Sequence, residues 1–83
     1  MEKRIGTITV FIYNRATASQ INSIISQYAA IIVARQGLPF RESTLSVISI
    51  IVEGEADQIN ALSGKLGKLP DVEVKAVMAK SQN

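Results

Sequence analysis

The chain repeats itself at an offset of 38 residues. Gln20-Ile21-Asn22 recurs as Gln58-Ile59-Asn60, Ile24 falls on Leu62, Tyr28 on Leu66, and upstream Val10 and Ile12 fall on Ile48 and Ile50. Apolar positions land on apolar positions in the same register, so helix face maps onto helix face and strand face onto strand face. Two halves of this kind, related by a pseudo-two-fold axis, are the sequence signature of a split βαβ fold. In 83 residues there is room for both halves and little else, so residues 1–83 read as a single domain.

The elements follow from periodicity. Residues 5–13 alternate, with Gly6, Ile8, Val10 and Ile12 on one side and Thr7, Thr9, Phe11 and Tyr13 on the other, which is the pattern of a strand. Thr17-Ala18-Ser19-Gln20 has the spacing of a capping box, and Ile21, Ile24, Ile25 and Tyr28 then gather on one helical face. Ile31-Ile32-Val33-Ala34 is a β-branched run that Gly37 and Pro39 interrupt, so residues 35–42 read as the connection to the next strand, Leu45 to Glu53. A second helix opens at Glu55 and Asp57 and closes at Lys65 and Lys68, a charge order that complements the helix dipole. Ile59, Leu62 and Leu66 are its buried stripe, and Gly64 within it reads as a site of close packing. Gly67 and Pro70 stop the helix, and Val72 to Met78 alternate as a last strand.

The order β-α-β-β-α-β predicts an α+β, ferredoxin-like fold, a four-stranded antiparallel sheet with two helices on one face. The other face then lacks a cover. If Val10, Ile12, Ile48 and Ile50 meet the helices, the side chains looking away from them include Phe11, Tyr13, Leu45, Val47 and Ile51, where a solvated face would read polar. Composition sharpens the point: the chain is 47% hydrophobic, and a domain this short hides only about 60% of the surface its unfolded chain exposes. Phe11, Tyr13, Leu45, Val47 and Ile51 are therefore the expected interface of a homo-oligomer, a dimer or tetramer built through the open sheet face.

Several function classes drop out. The chain has no Cys and no His, which removes disulfides, thiolate or imidazole metal sites and Cys/His nucleophile pairs. No metal and no cofactor are expected, and with no nucleophile beside a base the chain does not read as an enzyme. Base-stacking aromatics are missing from the third strand, where an RNA-recognition domain carries them, so nucleic-acid stacking is not expected. The net charge of +2, with basic and acidic residues interspersed, supplies no strong field toward nucleic acid or membrane. Neither a signal-peptide pattern nor an apolar run of the roughly 20 residues needed to span a bilayer is present, which makes a cytoplasmic protein the expectation.

Two segments could contact an effector. Within RQGLPFRE, Arg35 and Arg41 flank Gly37 and Pro39, and a guanidinium's planar fork suits a carboxylate or phosphate. The turn Asn14-Arg15-Ala16-Thr17 leads into a helix N-terminus, where free N–H groups favour a small anion. Arg35, Gly37, Arg41, Asn14 and Arg15 are accordingly the candidate effector residues. The same features also fit a plain hairpin connection and plain capping.

The opening MEKRIG, the central RQGLPFRE followed by LSVISIIVEG, and the closing INALSGKLGKLPDVEVKA together resemble the small regulators of the iron-only hydrogenase system. That family is related to ACT-like domains and to the C-terminal regulatory domain of nickel-responsive repressors. The resemblance implies a ferredoxin-like fold, oligomerisation and a role in hydrogenase expression or maturation, including transcriptional regulation. Nickel sensing does not carry over, because this chain lacks the His and Cys that hold the metal. The ribbon-helix-helix segment for DNA has no counterpart ahead of the first strand, so direct nucleic-acid binding is not expected. The sequence thus describes a non-enzymatic, oligomeric ACT-like module that binds a small anionic effector or a partner protein. The alternative is a purely structural oligomerisation module with no small-molecule ligand.

Overall fold

The computed structural model describes residues 2–40 and 44–80. Its elements are β1 (Arg4–Ile12), a 3-10 turn (Arg15–Thr17), α1 (Ala18–Gln27), a second 3-10 turn (Ala29–Ile31), β2 (Ile32–Pro39), β3 (Ser46–Gly54), α2 (Ala56–Gly67) and β4 (Val72–Met78). The strands form one antiparallel sheet in the order β2-β3-β1-β4. This is the ferredoxin-like arrangement expected from the repeat.

The core lies between one sheet face and the two helices. Ile8, Val10 and Ile12 of β1 and Ile50 and Val52 of β3 meet Ile21 and Ile25 of α1 and Ile59, Leu62 and Leu66 of α2. Eight of the core side chains are fully enclosed, Ile21 and its repeat counterpart Ile59 among them. The helices are also joined at their exposed edge, where the Lys65 ammonium lies 5.1 Å from the centre of the Tyr28 ring.

The two helix starts differ. Thr17 was expected to cap α1, but it has helical backbone angles, makes no capping bond and is 3% exposed. Its hydroxyl instead donates to the Pro70 carbonyl at 3.3 Å, bracing the turn before β4. Asn14 starts the turn in its place, its Oδ1 accepting the Ala16 N–H at 3.0 Å. The box geometry occurs at α2, where the Gln58 side chain accepts the Glu55 N–H at 2.9 Å.

Two other expectations are corrected. Gly64 packs against nothing, since a methyl group added there would meet open space. Residues 35–39 are strand, not loop: β2 runs unbroken through Gly37 to Pro39. Pro39 is tolerated because β2 is an edge strand, bonded only to β3, so a missing N–H need not break a ladder. Gly37 has no positive φ, so no turn requires it.

The register of β2 changes once. Ile32 pairs with Val52, but Ala34 pairs with Ile51, so Val33 is an extra residue in a β-bulge. Beyond it Arg35, Gly37 and Pro39 lie opposite Ile50, Ile48 and Ser46, on the helix side of the sheet, while Ala34, Gln36 and Leu38 lie on the open side. A one-residue shift exchanges the faces of every following side chain.

Candidate functional site

Two surfaces stand out, one on each face of the sheet. On the open face the register arranges side chains in three rows across the strands. Leu38, Val47, Phe11 and Glu73 form one row, Gln36, Ser49, Thr9 and Lys75 the next, and Ala34, Ile51, Thr7 and Val77 the third. Two largely apolar rows thus flank a polar one. Ile51 is 42% exposed and Tyr13 50% exposed, whereas Phe11, Leu45 and Val47 are half-buried by their neighbours within one copy. Tyr13 extends this face past the end of β1, its hydroxyl donating to Glu73 Oε1 at 3.3 Å. Lys75 Nζ lies 3.9 Å from the second oxygen of Glu73, an exposed pair worth little by itself.

On the helix face the helices do not reach the far end of β2. There the first 3-10 turn, the start of α1 and the β2-β3 hairpin enclose an open groove of about 360 Å³. Its lining includes Ile12, Ala18, Pro39 and Ile48, with Gly37 on its sheet side and Arg15 on its helix side. Arg15 is the one charged residue among the described residues of this lining, and its guanidinium has no hydrogen bond or ion pair with a described residue.

The five candidate effector residues separate accordingly. Arg15 and Gly37, from different segments, meet at the groove. Asn14 is occupied by the turn it caps and by a 3.3 Å bond from its Nδ2 to Asp71 Oδ2. Arg35 donates to Asn22 Oδ1 at 3.0 Å, tying β2 to α1. Arg41 lies outside the described residues. Ile12, Ala18, Pro39 and Ile48 were not singled out from the sequence as groove residues. The i, i+2, i+4 spacing of Arg35, Gly37 and Pro39 was the available signal, but it is visible only once Gly37 is read as strand.

A family model described as "Iron-only hydrogenase system regulator, putative" (TM1266-like) matches residues 4–76. Among solved structures the chain is similar to the uncharacterized protein TM1266 from Thermotoga maritima, with 35% identity and a TM-score of 0.89 over 95% of this chain and 100% of that one. An unknown protein from Galdieria sulphuraria shares the fold at 12% identity and a TM-score of 0.71, over 99% of this chain and 48% of that one. CutA1 from Oryza sativa does so at 17% identity and 0.54, over 96% and 84%. No curated protein sequence matches.

Proposed function

The chain belongs to the iron-only hydrogenase system regulator family, and on that premise we propose that it is a non-enzymatic regulatory module that works as a homo-oligomer and responds to a small effector or a partner protein. The observation that carries the oligomer is the pair of apolar rows on the open face, centred on Val47 and Phe11 in one and Ile51 in the other. Covering such rows removes apolar area from water at about 25 cal/mol per Å². Covering them with a second copy requires no partner beyond the chain itself, and the polar middle row supplies hydroxyl and amide groups that can pair across a symmetric interface.

Sedimentation equilibrium at micromolar concentration tests the oligomer. The expected result is a dimer or tetramer, converted to monomer by Ile51→Lys with the circular dichroism spectrum unchanged. Monomer alone in the unsubstituted protein overturns the reading.

A second reading, a purely structural assembly module without a ligand, is favoured at one place. Asn14 and Arg35, two of the polar groups suited to an anion, are already bonded to Asp71 and Asn22. The effector reading is supported by Arg15 and Gly37, which share a groove and whose polar and steric capacity no neighbour among the described residues uses.

A further inference from the structure

Gly37 is costly where it stands. Glycine inside a strand forfeits side-chain packing and costs extra backbone entropy, so a reason is needed for its presence. The backbone supplies none, because the φ is not positive. Crowding supplies none either: a Cβ at this position would come no closer than 3.7 Å to Ile48 Cγ1, an ordinary contact. What the missing side chain does is leave the floor of the groove open. The β-bulge at Val33 has the same effect. Were Val33 paired regularly with Ile51, Gln36 would take the place of Gly37 opposite Ile48, and its side chain would lie on the groove side.

The space so kept is chemically lopsided. Its floor and walls are mainly apolar, including Ile12, Ile48, Pro39 and Ala18, and Arg15 is the single charge among its described lining residues. The volume of about 360 Å³ is at the small end of the range of roughly 300–1,000 Å³ usual for small-molecule sites. A ligand that fits has an apolar body for the floor and one negative charge for the guanidinium. A bare inorganic anion leaves the apolar surface wet, and a neutral hydrocarbon leaves the guanidinium without an acceptor.

We propose that the groove between Arg15 and Gly37 is a binding site for a small amphipathic monocarboxylate, its carboxylate on Arg15 and its apolar body over Gly37. The site rests on the effector half of the regulator reading; it opens on the helix side of the sheet, although Leu38 and Val47 of the outer apolar row also border it.

The test is a titration of the ¹⁵N-labelled full-length chain with hexanoate, followed by amide shifts, with hexanamide and acetate as controls. Hexanoate is expected to move the amides of Arg15, Gly37 and Ile48, with hexanamide binding about tenfold or more weakly for want of the charged hydrogen bond. Acetate, which has no apolar body to cover the floor, is expected to bind more weakly still. Arg15→Gln is expected to weaken hexanoate about tenfold, and Gly37→Val to abolish binding while leaving the melting temperature the same or higher. Absence of saturable shifts, shifts scattered away from the groove, equal affinity for hexanamide, or unchanged hexanoate binding in Gly37→Val each overturns the proposal. Sedimentation of the same samples keeps the two readings apart: an intact oligomer that ignores hexanoate removes the ligand site alone, and a monomer that binds it removes the assembly alone.

Discussion

Val10 and Ile48 stand directly opposite each other on β1 and β3 and are also each other's counterpart under the 38-residue repeat. The pseudo-two-fold axis relating the halves therefore passes between them. Exact symmetry would then make the pairing of β2 with β3 a copy of the pairing of β4 with β1. Val74 lies opposite Val10, so its counterpart Gln36 should lie opposite Ile48, yet Gly37 is found there. The Val33 bulge accounts for the one-residue difference, and the groove lies on the side of the sheet where the symmetry fails.

The two glycines with crowded surroundings should differ in what an added methyl costs. At Gly6 a Cβ would lie 2.9 Å from the Val77 carbonyl oxygen, a backbone atom held in the ladder. At Gly54 it would meet Ile31 Cγ2 at 2.9 Å and Gln58 Oε1 at 3.0 Å, both side-chain atoms. Urea denaturation should show Gly54→Ala destabilising by about 1–3 kcal/mol, the usual cost of overpacking, and Gly6→Ala by more.

Gly64 should behave in the opposite way. It sits inside α2 with nothing within 4 Å of an added Cβ, so alanine gains helix propensity without a clash. Gly64→Ala is expected to stabilise by about 1 kcal/mol, which in a domain of this size raises the melting temperature by roughly 4–8 °C. A thermal melt that fell would contradict the open setting of this position.

The turn before β4 holds Asp71 at φ 60, in the left-handed region that aspartate, asparagine and glycine tolerate best. Its carbonyl accepts the Tyr13 N–H at 2.9 Å, and its carboxylate accepts from Asn14. Asp71→Asn should change stability little, while a β-branched residue should cost roughly 1–2 kcal/mol from backbone strain alone. Asn14→Ala should cost about 1 kcal/mol through loss of the cap. Chemical denaturation of the three variants measures each.

Ile21 and Ile59 are repeat counterparts with no exposed surface, one in each helix. Ile21→Val and Ile59→Val should therefore cost similar amounts, about 0.5–1.5 kcal/mol each. A large difference in urea midpoints would mean that the halves do not share the core equally.

Periodicity made the fold legible because the apolar spacing in each element is long and regular, and the repeat checked one half against the other. The edge strand was the part that resisted. Gly37 and Pro39 are breakers in an isolated segment, and only knowledge that β2 pairs on one side explains why they are allowed. Thr17 misled for a related reason: the Thr-x-x-Gln spacing describes a capping box, but a carbonyl 53 residues away at Pro70 claimed the hydroxyl. Of the effector candidates, Arg15 and Gly37 were picked out from separate segments, and their meeting depends on a bulge that no residue pattern announces.

The extra residue at Val33 links the two surfaces as a fixed exchange. Closing the bulge, so that Val33 itself pairs with Ile51, would carry Leu38 across the sheet to lie opposite Ser46, removing an isobutyl group from the outer apolar row and placing it on the cavity side, while Gly37 and the Arg35 side chain would move the other way. Neither surface can be retuned at this point of the strand without an equal and opposite change in its fellow. A sequence change that closes this bulge without removing a residue would trade assembly against ligand in one step.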